Sequence, residues 1–259
     1  MKVIILAAGK GSRLRPYTND RPKCMVPLAG KPMLHRQVDV LRGAGLSDIT
    51  LVGGYKADCL EAKDARVLLN PKYDSTNMVT TLFCAREQMV YGEDLLITYG
   101  DIVFEPRVLK SVLDTEGDVV LGADLEWRRL WETRMDDPLS DAETFKIQEG
   151  NRVVELGKTP KSYEEAQAQY MGIIKVSAER VKDLKAIYDQ MDRSETYDGK
   201  DFDNMYMTSF IQHLIDIGWD VRAALVKNGW LEIDTSDELE IYNSQYDSGR
   251  LSKIIDICQ

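Results

Sequence analysis

The chain has 259 residues, 44% of them hydrophobic and 29% charged, so it can bury a sizeable core and lacks the composition of a disordered protein. Its formal net charge of -10 argues against a general nucleic-acid or anionic-membrane surface, although a few basic residues gathered in one cleft can still hold phosphate. No apolar run approaches the roughly 20 residues of a membrane helix, and Cys24, Cys59, Cys84 and Cys258 stand at no metal-ligand or CxxC spacing, which predicts reduced thiols in a cytoplasmic protein.

Residues 3–8 are an unbroken apolar run, shorter than the roughly 7–15 residues of a signal peptide core; they predict a buried parallel strand over 2–8 that feeds a glycine-rich turn. Pro32 opens a helix whose apolar stripe is Leu34, Val38 and Leu41, and Gly43 and Gly45 close it. Strands are expected at 49–53 and 66–69, a helix at 77–90, a buried strand at 95–99 ending at Asp101, a helix at 107–114 and a strand at 119–123. This alternation predicts an α/β fold: a Rossmann-like, doubly wound, mostly parallel mixed sheet.

The pattern changes after Asp124. Residues 145–148 and 153–156 flank Glu149-Gly150-Asn151, a hairpin signal. A strand at 170–176, helices at 178–191 and 205–217, strands at 221–226 and 230–233, and a helix from Asp237 follow. The expectation is a single domain over 1–259, with a nucleotide-binding half (1–124), an acceptor-binding half carrying an inserted β-rich lobe (125–235), and a C-terminal helix and tail (236–259).

The densest chemistry follows the first strand. Leu6, Ala7, Ala8, Gly9, Gly11 and Ser12 form a small-residue, two-glycine turn whose backbone N–H groups can approach an anion, and Arg13 adds a forked phosphate donor. The string is not GxxxxGK[ST], and Leu14 fills the third glycine position of GxGxxG, which disfavours a nicotinamide dehydrogenase. Asp101 lies just past the carboxyl end of a buried strand, where open α/β sheets bind ligands, and Leu231-Glu232-Ile233-Asp234 offers a second carboxylate at a strand end. Gly100 leaves room there for a substrate. Either aspartate could instead cap the helix that follows it. His35 and His213 fall on predicted helices and read as structural.

The glycine-rich loop ending in Arg13, with Pro22-Lys23 ten residues beyond it, resembles the nucleotidyltransferase superfamily. That resemblance implies Lys23 on the triphosphate, Asp101 and Asp234 as ligands of Mg2+, and Lys158 reaching the acceptor phosphate or the α-phosphate. Asn70-Pro71-Lys72-Tyr73-Asp74-Ser75-Thr76-Asn77-Met78 resembles the base-side segment of small-molecule cytidylyltransferases, including LicC-type phosphocholine cytidylyltransferases. It places Asn77 near the nucleotide, with Thr80 and Thr81 beside it; Asn77 also reads as a helix N-cap.

Three later strings, 138–144, 168–172 and 202–210, resemble the phosphoglutamine branch of that family. The implied reaction moves CMP from CTP onto a small amino-bearing phosphate, L-glutamine phosphate, with release of pyrophosphate, in capsule polysaccharide biosynthesis. Acceptor candidates are Trp127, Trp131, Arg129, Glu143, Lys146, Tyr170, Asn204 and Trp230, although the charged stretch 128–146 also reads as a salt-laced surface. Open alternatives are a phosphocholine or aminoalkylphosphonate cytidylyltransferase, a sugar-1-phosphate nucleotidylyltransferase and a non-catalytic nucleotide-binding regulator. The sequence carries no signal of oligomeric state.

Overall fold

The computed structural model describes residues 1–257; Cys258 and the end of the expected tail lie outside them. The first part of the chain runs β1 (Lys2–Ala7), β2 (Pro27–Leu28), β3 (Lys31–Pro32), α1 (Met33–Gly43), β4 (Ile49–Gly53), β5 (Arg66–Leu69), α2 (Met78–Phe83), β6 (Leu95–Tyr99), β7 (Ile102–Phe104), α3 (Pro106–Asp114) and β8 (Val119–Asp124). The second runs α4 (Trp127–Trp131), β9 (Phe145–Gln148), β10 (Arg152–Leu156), β11 (Gln169–Val176), α5 (Val181–Gln190), α6 (Met207–Asp216), β12 (Val221–Val226), β13 (Trp230–Glu232) and α7 (Ser236–Asp247). No helix among the described residues is long and apolar enough to cross a membrane.

Nine strands form one mixed sheet in the order β5-β4-β1-β6-β11-β8-β12-β10-β9. Pairing is parallel from β5 to β6 and between β8 and β12, and antiparallel elsewhere. The continuous apolar run of β1 follows from burial on both faces. Val3, Ile5 and Ala7 pack with Leu34, Val38 and Leu41 of α1 and Val108, Leu109 and Val112 of α3. Ile4 and Leu6 point the other way, among Val79 and Leu82 of α2 and Phe210, Ile211 and Leu214 of α6. The expected hairpin extends the far edge of this sheet, meeting β12 at Arg152↔Arg222.

Two local features shape the cleft. A separate two-stranded sheet pairs β7 with β13, registering Glu232 against Ile102 and Trp230 against Phe104; the sequence reading has no strand at β7. In β11 the register against β8 shifts between Tyr170 and Ile174, around Gly172. Such bulges re-aim side chains beside functional sites, and Tyr170, Met171 and Gly172 all line a cavity.

The helix expected over 77–90 ends at Phe83, with a 3-10 turn at Arg86–Gln88 after it. The short helix α4 was not anticipated; both of its tryptophans are buried.

Candidate active site

The loop after β1 is held open by close packing. Gly11 has φ 57°, a left-handed conformation that favours glycine, and a Cβ there would stand 2.9 Å from Cβ of Lys23. Thr18 Oγ1 donates to Gly11 O at 2.9 Å, fastening the loop to the segment that carries Pro22 and Lys23. Gly100 serves the backbone rather than a substrate: a Cβ there would lie 2.8 Å from Leu6 O and 3.3 Å from Cβ of Cys24. The glycine lets the β6–β7 turn close against β1, with Gly100 N donating to Leu6 O at 2.9 Å.

The β7–β13 ladder brings the strand-end carboxylates together. Carboxylate oxygens of Asp101, Glu232 and Asp234 lie within 4.8 Å of one another, and Ile233 N donates to Asp101 O at 3.2 Å. Neither aspartate caps a helix: the N-cap of α3 is Glu105, and that of α7 is Thr235, in a capping box with Glu238. Lys23 Nζ donates to Asp101 Oδ2 at 2.5 Å and also to Asp234 Oδ1. Arg13, two-thirds exposed (66%), reaches Asp234 Oδ2 at 3.2 Å.

A second cation lies behind the cluster. Arg134 is only 2% exposed; its Nε donates to Glu238 Oε1 at 2.8 Å, and its other nitrogens lie 3.8 Å from Glu232 and Asp234. Its guanidinium stacks on Trp131, 4.9 Å from the ring centre. Glu238 in turn accepts from Asp234 N at 2.7 Å, so Arg134 and Glu238 together fix the backbone that presents Asp234. Burial works to lower the Lys23 ammonium, but Asp101 and Asp234 outweigh it and hold its pKa well above the ordinary lysine value. Burial works to raise Asp234, yet Lys23 keeps it below the usual carboxylate range. Glu232 goes the other way, pushed up by burial and then by the charges of Asp234 and Asp101. Asp101 Oδ1 is buried and accepts no hydrogen bond. A closely spaced set of hard oxygen donors with one oxygen unsatisfied fits a Mg2+-type cation.

Two cavities meet at this cluster and share Met78 and Tyr99. One, about 120 Å³, is lined by Leu6, Ala8 and Gly9 on one side, by Asn77 and Thr81 on another, and by Asp101. Asn77 lines this cavity and is also the N-cap of α2, its Oδ1 accepting from Met78 N at 2.8 Å. The other, about 200 Å³, is lined by Trp131, Asp141, Glu143, Tyr170 and Trp230 as well as by Glu232 and Asp234, and no lysine or arginine lines it. Burial and then nearby Asp141 and Asp198 push the Glu143 carboxyl up to about 7.

Several expected residues lie elsewhere. Trp127 is core, its Nε1 donating to Ala166 O at 2.9 Å. Arg129 is exposed on α4. Lys146 pairs with Glu155 at 2.9 Å and Glu165 at 3.1 Å, outside both cavity walls. Asn204 Nδ2 donates to Asp201 Oδ1, and Thr80 Oγ1 to Asp203 O, each at 3.0 Å. Lys158 is half-exposed and paired with Glu155 at 3.2 Å; its neighbour Gly157 packs against Thr208 of the larger cavity wall. Ala7 and Ser12 flank the loop without lining either cavity.

The sequence reading includes Glu232 in the string 231–234 and Arg134 in the charged stretch 128–146, but gives neither a role in the carboxylate cluster. Glu232 was within reach, because residues i and i+2 of an extended chain share a face, so a bet on Asp234 implied Glu232. Arg134 left no local signal, since its partners are Glu232, Asp234 and Glu238, about a hundred residues downstream.

Residues 3–152 match the model of the MobA-like NTP transferase domain family, more than half of the chain. The chain belongs to that family and is a nucleotidyltransferase. It is 40% identical over 250 residues to the CTP:phosphoglutamine cytidylyltransferase of Campylobacter jejuni, covering 93% of this chain and 98% of that protein. A choline-phosphate cytidylyltransferase of Streptococcus pneumoniae is 39% identical over 93 residues, 34% of this chain and 41% of that protein. The fold matches the solved structure of the pneumococcal CTP:phosphocholine cytidylyltransferase LicC at a TM-score of 0.71 and 20% identity, covering 95% of this chain and 98% of that one.

Proposed function

We propose that the chain is a Mg2+-dependent cytidylyltransferase that joins CMP from CTP to L-glutamine phosphate. The observation that carries an amino-bearing acceptor is the larger cavity, which adjoins the Lys23–Asp101–Asp234 cluster and carries Asp141 and Glu143. A sugar phosphate has no cation for those carboxylates, whereas an amino-bearing phosphate does. The full-length likeness to a phosphoglutamine enzyme supplies the particular acceptor.

In the reaction, an acceptor phosphate oxygen attacks the α-phosphorus of CTP, the bond from that phosphorus to the bridging oxygen breaks, and pyrophosphate leaves with the electron pair. Glutamine has no hydroxyl, so its phosphoryl group is carried on the side-chain amide nitrogen. Like other terminal phosphoryl groups, whose second pKa is about 6, it is largely ionised at neutral pH, so no strong base is required. The loop N–H groups from Ala8 to Ser12 cradle the triphosphate. Arg13 and Lys23 neutralise the charge that builds on the departing pyrophosphate, and Asn77 meets the cytosine edge. Lys158 swings from Glu155 to the acceptor phosphate, while Asp141 and Glu143 hold the acceptor ammonium. Asp101, Glu232 and Asp234 would hold Mg2+, which when bound neutralises phosphate charge. The free thiols Cys24, Cys59 and Cys84 suit a reducing cytoplasm, and the product suits capsule polysaccharide biosynthesis.

The rings of Trp131, Tyr170 and Trp230 in the same cavity favour a second reading, a quaternary ammonium acceptor. A competition assay separates the two. With CTP and Mg2+, L-glutamine phosphate, 2-aminoethylphosphonate and phosphocholine are offered together and the CDP-linked products are read by mass. L-glutamine phosphate should exceed phosphocholine by about a hundredfold in kcat/KM, with the aminophosphonate between them. A dominant CDP-choline peak would overturn the amino-acid acceptor.

A further inference from the structure

Three carboxylates this close repel one another, and nearby cations relieve that repulsion. Arg134 and Lys23 supply them in different ways. Arg134 is fixed: it is almost wholly buried, stacked on Trp131 and clamped by Glu238. Lys23 is not clamped in this way. Its side chain, 13% exposed, is a flexible stem whose ammonium pairs with Asp101 and Asp234 themselves. An ammonium is a compact point charge without the rigid fork of a guanidinium, so it transfers readily between carboxylate and phosphate oxygens.

The position of that ammonium is the unexpected feature. It bridges the two aspartates that also belong to the three-carboxylate group suited to a metal ion. A cation joining Asp101 and Asp234 would compete with it for the same oxygens, leaving Asp101 Oδ1 as a donor not yet engaged. Resting on the cytidylyltransferase reading, we infer that Lys23 is an exchangeable counter-ion: in the free protein it holds the place of the divalent cation, and the incoming triphosphate draws it away. The cation then enters with the nucleotide rather than before it. The two binding events are reciprocally coupled, because each removes a competitor of the other.

This makes a prediction opposite to ordinary loss of function. Mn2+ binding to the apoprotein is measured by electron paramagnetic resonance and calorimetry, without nucleotide, for the wild type, Lys23→Met and Arg13→Ala. Lys23→Met, although poor in turnover, should bind Mn2+ more tightly than the wild type, by on the order of tenfold. Arg13→Ala removes the same charge from an exposed side chain on the same aspartate and should change affinity by less than about threefold. Equal or weaker Mn2+ binding by Lys23→Met overturns the inference, as does an equal gain in Arg13→Ala, which would make net charge the cause. Lys23→Gln repeats the measurement should the methionine variant fail to fold. If no variant binds Mn2+ and CTP brings none to the wild type beyond the metal it carries itself, the metal site of the cytidylyltransferase reading fails too. Metal binding to the wild type with CTP, together with no gain in Lys23→Met, removes only the counter-ion role.

Discussion

On the proposed nucleotide side of the cleft, the glycine-rich loop and Asp101 leave turns that directly follow two neighbouring parallel strands, β1 and β6, whereas the groups of the proposed acceptor side come from scattered segments. Leu6 through Arg13 leave β1 and Asp101 leaves β6, so strand register alone sets them side by side. Trp131, Asp141, Glu143, Tyr170 and Trp230 come from a short helix, a loop, a bulged strand and a two-stranded ladder, and meet only after long-range packing. Groups placed by a strand end are specified locally. Groups placed by packing depend on supports such as Arg134, and they carry little sequence signature of their own.

The largest expected effect breaks that support. Arg134→Met should destabilise the fold by about 3–5 kcal/mol, because it strands Glu238 and leaves Glu232 and Asp234 without their buried cation. Chemical denaturation measures it, and a loss below about 1 kcal/mol would show Arg134 to be dispensable packing.

On the nucleotide side, Asp101→Asn should leave stability nearly intact but cut turnover at least about a hundredfold, on the order of 3 kcal/mol of transition-state stabilisation. Near-normal kcat at saturating Mg2+ would remove Asp101 from the metal site.

Those two variants also mark what the sequence disclosed. The loop and Asp101 stood out by their places at strand ends, whereas Lys23 and Asp234 stood out through the resemblance to the nucleotidyltransferase superfamily; the fold brings Lys23, Asp101 and Asp234 into contact. In the stretch 128–146, charge and aromatic content gave no direction. Lys146 went to the sheet edge and Arg134 beneath the carboxylates, while Glu143 reached the cavity; Trp127, just before the stretch, went into the core. The β7–β13 ladder explains the gap: β7 has three residues, too short for a periodicity, yet it is what brings Asp101 to Glu232 and Asp234.

A smaller effect sharpens the division between the two sides. Glu143→Gln should raise KM for an amine-bearing acceptor about tenfold and leave KM for CTP within about twofold, since it removes an ionic partner of the acceptor only. A matching rise in both constants would mean that the cavity is not specific to the acceptor.

The smallest is a pH effect at the same residue. Folding raises the Glu143 pKa to about 7, so holding it ionised costs stability, and that cost is incurred as pH rises from the ordinary carboxylate range through about 7. Acceptor binding favours the ionised form. The KM difference between wild type and Glu143→Gln should therefore be small at pH 6 and widen by pH 8, whereas a pH-independent difference would make Glu143 a neutral hydrogen-bonding group.

Cytidylyl transfer is read out as acceptor-dependent pyrophosphate release. CTP, UTP, ATP and GTP are compared singly at fixed Mg2+ and L-glutamine phosphate. CTP should lead by at least about tenfold in kcat/KM, the scale on which contacts to one base edge discriminate. Preference for another triphosphate, or no acceptor-dependent release from CTP, would contradict it.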